Sequence, residues 1–265
     1  MSDTFTAPAN APAQINRYGE LCAEVYVLDK PPGALHDIQY YLEQLRPLDG
    51  PILEAACGSG RLLIPMLQAG LPVEGFDHSE SMLAQCRLAA DARGLNATLR
   101  RTRFQEFEYD RPFAAIVCPV GAFTLVDDYA EALAVLERFH DHLQPGGRLF
   151  VDIMPLAYLT NPASHHVRSW TTPAGEQLTI TSSRLELDLL RQRKVTLDRY
   201  DRWRGGKLVE SEVEVLATRL WALHEFELTL KEARFEGITV CGDYRIGRPP
   251  RASDGWWCFQ AVRAG

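Results

Sequence analysis

Residues 52–61 read Ile52-Leu53-Glu54-Ala55-Ala56-Cys57-Gly58-Ser59-Gly60-Arg61: a short apolar run, a glycine turn and the start of a helix. Gly58 and Gly60 let the backbone come close to a ligand, and the helix start offers free N–H groups with a partial positive charge. A second apolar run, 71–76, closes on Asp77, whose carboxylate is placed to accept two hydrogen bonds from a ribose diol. Two ligand classes use this layout. A dinucleotide site wants a third glycine where Leu63 stands, and Glu54 would repel a pyrophosphate. S-adenosylmethionine (SAM) carries an ammonium and a sulfonium but no phosphate, so the turn favours SAM over a nicotinamide dinucleotide.

From this turn outward the chain alternates strand and helix. The helix at 61–69 stops at Gly70, Ser79 caps a helix that ends at Gly94, and strands at 97–104 and 113–118 follow. Asp128 and Glu131 open a helix with the apolar stripe Leu133, Leu136, Phe139 and Leu143; Pro145-Gly146-Gly147 then turns the chain into a fifth strand at 148–153. Such alternation predicts an α/β fold, a doubly wound parallel sheet. Ahead of it lie a polar tail, 1–15, and a helix-prone segment broken at Lys30-Pro31-Pro32-Gly33; Leu35, Ile38, Tyr41, Leu42 and Leu45 take helical spacing after the break. Beyond Pro155, residues 178–184, 185–191, 195–203 and 209–218 alternate apolar with polar, with a hairpin signal at Arg204-Gly205-Gly206-Lys207. This reads as an antiparallel sheet with one wet face. A helix at 222–235 and strands at 238–244 and 256–262 complete the chain. The expected division is a tail with lid helices at 1–48, a cofactor core at 49–155, an antiparallel insertion at 156–220 and a closing segment at 221–265.

Three stretches together resemble the motifs of class I SAM-dependent methyltransferases: Glu54-x-x-Cys57-Gly58-Ser59-Gly60-Arg61, Gly75-Phe76-Asp77-His78-Ser79-x-x-Met82-Leu83 and Leu143-x-Pro145-Gly146-Gly147. Asp37-Ile38-x-Tyr40-Tyr41 and Gly242-Asp243-Tyr244 are similar to segments of bacterial small-molecule methyltransferases, among them the aminosugar N-methyltransferases of antibiotic pathways. The resemblance implies a Rossmann-like, seven-stranded, mostly parallel sheet with an antiparallel sheet inserted after strand 5. It implies methyl transfer from SAM to a nitrogen or oxygen of a small metabolite, leaving S-adenosylhomocysteine. Residue by residue, it implies that Glu54, Gly58 and Gly60 contact the methionine moiety and that Arg61 reaches its carboxylate. It puts Asp77 on the ribose hydroxyls and His78 and Met82 beside the adenine, with Cys57, Ser59 and Cys118 among the cofactor neighbours. Arg103 stands where the family usually has an acid, which shifts the expected adenine contact to Phe104 or Gln105. Tyr18 and Tyr26 fall in the segment that the family folds over SAM as a lid.

A sulfonium makes its methyl carbon electrophilic unaided, so the protein mainly aligns the attacking lone pair, worth about 7–11 kcal/mol of the barrier. A general base adds roughly 10²–10⁴-fold, and only where the nucleophile must lose a proton. The candidates for that base are Asp152, at the end of the fifth strand, and His224, bordering the helix after the insertion. Phe123 and Thr124 are expected near the transferred methyl, and Trp221 and Tyr244 as aromatic walls for a substrate or cation. Trp256 and Trp257 are expected in the buried core.

The chain has 265 residues, 46% hydrophobic and 24% charged, with a formal net charge of −7. That composition excludes wholesale disorder, and no run is long and apolar enough to predict a membrane span. The first residues lack the pattern of a signal peptide, and the six cysteines show no Cys-x-x-Cys spacing, which together point to reduced thiols, a cytoplasmic setting and no metal. Of the 28 basic residues only four are lysines, a skew expected of a GC-rich bacterial gene. Residues 184–207 gather arginines and lysines, but acids are interleaved, so they read as a solvated sheet face; a small-molecule substrate is expected, not nucleic acid, and a monomer or homodimer. Two rival readings stay open on sequence alone, a SAM-binding sensor without turnover and a nicotinamide oxidoreductase.

Overall fold

The computed structural model describes residues 15–34, 36–160 and 165–265; the expected tail through residue 14, and Leu35 of the helical stripe, lie outside the described residues. Helices α1 (Glu20–Asp29) and α2 (Asp37–Leu45) flank the break at Pro31-Pro32. The core then alternates β1 (Ile52–Ala55), α3 (Leu63–Gln68), β2 (Val73–Asp77), α4 (Glu80–Asp91), β3 (Leu99–Arg101), β4 (Phe113–Cys118), α5 (Tyr129–His142) and β5 (Leu143–Ile153). Four strands follow, β6 (His165–Thr171), β7 (Gln177–Asp188), β8 (Arg193–Arg204) and β9 (Lys207–Arg219), and the chain ends with α6 (Leu223–Glu232), β10 (Phe235–Gly242) and β11 (Trp257–Arg263).

The main sheet has seven strands in the order β10-β11-β5-β4-β1-β2-β3, and the second has four in the order β6-β7-β8-β9. The first five strands pair in parallel, while β11 runs antiparallel to both β5 and β10. Every residue of β1 and β4 is buried, as both faces of a parallel sheet covered by helices require. Helix starts follow the sequence signals: the Ser79 hydroxyl accepts the Met82 N–H and the Asp128 carboxylate accepts the Glu131 N–H.

The structure departs from expectation in three places. β3 is short because the chain turns just past Thr102, where the Glu106 and Phe107 N–H groups bond the Arg103 carbonyl. Residues 178–184 and 185–191 are not two strands: β7 runs through Arg184 with an irregularity before Glu186, then stops where Asp188 accepts the Leu190 and Arg191 N–H groups. The fourth strand of the insertion is instead β6, which contains His165 and His166. The hairpin signal holds, since Gly205 and Gly206 both take positive φ (56° and 75°).

α1 lies on the inserted sheet, packing Leu21, Cys22 and Val25 against Leu178, Ile180 and Tyr200. Its N-terminus is docked by two acids of β9. Glu212 accepts the N–H groups of Glu20 (3.0 Å) and Cys22 (3.2 Å), and Glu214 accepts that of Gly19 (2.8 Å). Negative charge at a helix N-terminus is favourable, and here it comes from far along the chain.

At the end of β5, Asp152 is fully buried and its Oδ2 accepts the Val120 N–H (2.7 Å) and the Tyr244 hydroxyl (2.9 Å). Val120 has φ +50°, a strained setting for a β-branched residue, so the carboxylate pins a turn the sequence does not favour. Burial pushes the Asp152 carboxyl up to about 6, against the pull of the Val120 N–H and of the Tyr41 and Tyr244 hydroxyls. A carboxyl raised in the folded state favours folding when protonated, and that contribution is lost as pH rises from about 4 through 6. A rise of that size corresponds to roughly 2–3 kcal/mol. Urea unfolding of the native protein and of Asp152→Asn between pH 4.5 and 7.5 measures this. The native protein should lose stability relative to the variant as pH rises, and a constant difference would show that the carboxyl ionises normally.

Candidate functional site

The strand order reverses between β1 and β4, and such reversals open a crevice at the carboxyl ends of the strands. A cavity of about 1060 Å³ occupies that crevice. Its floor comes from the segments after β1, β2, β3, β4 and β5 together with Trp256, just before β11. Its roof is the strap 15–20, Tyr26 and Lys30 of the first helix, and Glu212, Leu216 and Thr218 of β9. A pocket for a single small ligand spans about 300–1,000 Å³, so this cavity is at the upper end of that range.

The glycine turn carries the strain expected of a ligand-facing loop: Ala56 has φ +55° and Gly58 φ +53°. Glu54 lines the cavity, is 2% exposed, and its Oε2 has no hydrogen-bond partner among the described residues. Burial pushes its carboxyl well up, against the opposing pull of Arg61. A buried, unpartnered carboxylate oxygen on a cavity-lining residue calls for a donor, and an ammonium group supplies one, so the residues present fit SAM. Asp77 accepts the Gly58 N–H (2.9 Å) through Oδ2 and the Ser79 N–H (2.8 Å) through Oδ1. It thereby ties the glycine turn to the start of α4, and each oxygen keeps a second lone pair. Burial raises this carboxyl too, while the Ser79, Gly58 and His78 N–H groups and the His78 ring oppose the rise.

The remaining cofactor candidates divide. Tyr18, Tyr26, Cys57, Gly58, Arg61, His78, Met82, Phe104 and Gln105 all line the cavity. His78 Nε2 meets the Asn16 carbonyl (2.6 Å), Tyr18 stands edge-on to His78 at 6.2 Å, and Phe104 packs edge-on against Phe76. Ser59, Gly60 and Cys118 do not line it. A Cβ on Gly60 would sit 2.6 Å from the Cys86 sulfur, so this glycine serves the packing of the turn on α4. Cys118 is buried in the sheet, and Ser59 is buried beneath the turn. Arg61 lines the cavity but has its guanidinium taken: it bonds both oxygens of Asp37 (2.8 and 2.7 Å).

The substrate and base candidates fare less well. Thr124 lines the cavity, its hydroxyl donating to the Gly121 carbonyl. Phe123 and Trp221 are fully buried, packed on each other and on Phe226 in the main core. Tyr244 lies behind the site, between Tyr40, Tyr41 and Asp152. Asp152 is outside the cavity because its carboxylate holds the Val120 turn. His224 points to solvent on α6, 85% exposed and beside Glu227. Trp256, expected in the core, is half-buried and lines the cavity, its ring against Gly121, where a Cβ would come within 2.6 Å.

Sequence reading missed Lys30, Asn16, Met154, Leu216, Thr218 and the position of Trp256. Asn16 bonds the Leu125 and Ala217 carbonyls and accepts the Ala217 N–H, fastening the strap to β9 and to the loop after β4. All of these reach the cavity through tertiary packing, with no local motif. Among the described residues no cluster could hold a metal, and no helix is long and apolar enough to cross a membrane.

Residues 52–147 match the family model for a methyltransferase domain. The chain is 29% identical over 238 residues to the cypemycin N-terminal methyltransferase of a Streptomyces species, covering 85% of this chain and 88% of that one. It is 30% identical to the dTDP-3-amino-3,6-dideoxy-alpha-D-glucopyranose N,N-dimethyltransferase of Streptomyces fradiae, spanning 52% of each. A SAM-dependent methyltransferase from Clostridium acetobutylicum shares the fold with a TM-score of 0.76 at 16% identity, over 92% of this chain and 98% of that one. With Glu54, Gly58, Asp77, His78 and Met82 gathered around one cavity at the sheet's switch point, residues 52–147 are a methyltransferase domain, and the chain that carries it is a SAM-dependent methyltransferase.

Proposed function

We propose that this enzyme methylates the nitrogen of a small amine. One observation carries the reading. Among the cavity residues that follow β4 and β5, those of β9 and Trp256, only Glu212 is ionisable, and its carboxylate is taken by the Glu20 and Cys22 N–H groups. Asp152, the acid near the end of β5, gives one oxygen to the Val120 N–H and the Tyr244 hydroxyl and does not line the cavity. SAM supplies a methyl carbon already electrophilic through its sulfonium. A hydroxyl acceptor would call for a base to take its proton, whereas an amine that arrives neutral needs alignment alone. The two relatives above bear names with nitrogen acceptors, a peptide N-terminus and an aminosugar, which supports the same choice.

In this reading Glu54 receives the ammonium of SAM, Asp77 its ribose hydroxyls, and His78, Met82, Phe104 and Gln105 surround the adenine. Tyr18 and Tyr26 close over the cofactor. Trp256, Met154, Thr124, Leu216 and Thr218 shape the acceptor's side, so the insertion, 156–220, shares substrate choice with the core, 49–155, and the closing segment, 221–265, while the lid segment, 1–48, closes over the cofactor. A cytoplasmic bacterial protein acting on a metabolite suits the acidic net charge, which offers no basic field for nucleic acid.

Two measurements test the proposal. Asp77→Ala should weaken SAM binding by about 1.5–3 kcal/mol, read by calorimetry, because a charge-assisted double contact is lost; an unchanged dissociation constant would put the ribose elsewhere. Incubation with SAM and a panel of primary amines and matched alcohols should release S-adenosylhomocysteine only with amines. The rate should climb with pH up to the acceptor's own pKa, and turnover of alcohols alone would overturn the amine reading.

A further inference from the structure

Two of the cations that line the cavity, Arg61 and Lys30, both lie against Tyr26, and they differ in what they already hold. Arg61 gives its terminal nitrogens to both oxygens of Asp37, and those two side chains are 4% and 0% exposed. Lys30 caps α1 just before the Pro31-Pro32 break, and its ammonium sits 4.7 Å from the centre of the Tyr26 ring. Asp29, the adjacent acid, gives its carboxylate to Arg168 (3.1 Å), and among the described residues no carboxylate pairs with Lys30. Burial pulls the Lys30 ammonium below its ordinary pKa, as expected of a cation awaiting a counter-charge.

Beside the same Arg61 that Lys30 feels, Glu54 has a buried oxygen without a partner. An unpaired ammonium and an unpartnered carboxylate lining one pocket are complementary to an α-amino acid, carboxylate to the first and ammonium to the second. We propose that Lys30 holds the carboxylate of the methionine moiety of SAM, and that Arg61 joins the lid helices to the glycine turn instead. The inference rests on the methyltransferase reading and adds to it a residue on the lid that senses the cofactor's charge.

The test is a binding cycle by calorimetry with two ligands, SAM and decarboxylated SAM, which keeps the ammonium and the sulfonium. Lys30→Met keeps an unbranched apolar side chain beside Tyr26 and removes the charge. The dissociation constant for SAM should rise about tenfold or more in the variant, and that for decarboxylated SAM should stay within about twofold. Retained binding of decarboxylated SAM also shows that the variant keeps its lid. Equal weakening of both ligands would overturn the proposal by showing that Lys30 only packs the lid, and unchanged SAM binding would place the carboxylate elsewhere. Failure of the native protein to bind SAM at all would overturn the methyltransferase reading, and the Lys30 assignment with it.

Discussion

The buried pair between Arg61 and Asp37 is the constraint on which the cofactor end depends. Arg61 follows the glycine turn, Asp37 opens α2, and Tyr26 of α1 lies against the same guanidinium. Taking two charges out of water is costly, and their doubled, nearly ideal geometry offsets that cost only while both partners are present. Losing either would leave an uncompensated buried charge, worth about 3–5 kcal/mol of destabilisation. The lid helices therefore cannot drift from the turn, and the pocket facing the methionine moiety keeps its shape. The same commitment removes Arg61 from the set of free cations and leaves that part to Lys30.

The roof over the acceptor is held differently. Its apolar cluster is small, Leu21, Cys22 and Val25 on Leu178, Ile180 and Tyr200, and the rest is polar: Glu212 and Glu214 on the start of α1, Asn16 on β9 and the loop after β4. Asn16 and Tyr18 also take positive φ (58° and 53°), so the strap is strained where it crosses the cavity. Segments with few apolar contacts and stored strain open at lower free energy than the core. Ligand entry by way of the strap follows, since the floor is the central sheet.

What could be read from the sequence was local. The glycine turn, Asp77 closing β2, the Ser79 and Asp128 caps and the Gly205-Gly206 hairpin each depend on residues within a few positions, and the structure has all of them. The cavity's other half depends on strands and straps brought together from distant parts of the chain. Trp256 looks like core in an apolar run, yet Gly121, which has no Cβ, leaves its ring room to face the cavity. Trp221 and Phe123 look like pocket walls by position, yet the main core takes them because they meet Phe226 and Phe139 there. β7 misled for a local reason: the irregularity between Arg184 and Glu186 breaks the alternation without ending the strand.

Asp152 shows why an acid at a strand end need not be a base. Holding Val120 at φ +50° costs on the order of 1–3 kcal/mol, and the following Gly121, at φ +68°, continues the same turn. A charge-assisted bond from the Val120 N–H at 2.7 Å offsets that strain, and the Tyr244 hydroxyl takes up the remaining capacity of the same oxygen. Without that anchor, the loop that carries Thr124 and Leu125 to the cavity would relax away from the crevice. The carboxylate therefore shapes the wall through the Val120 turn and does not itself line the cavity. An acid at a strand end can thus be given over to fixing backbone, as Asp152 is to the turn that leads to Thr124 and Leu125.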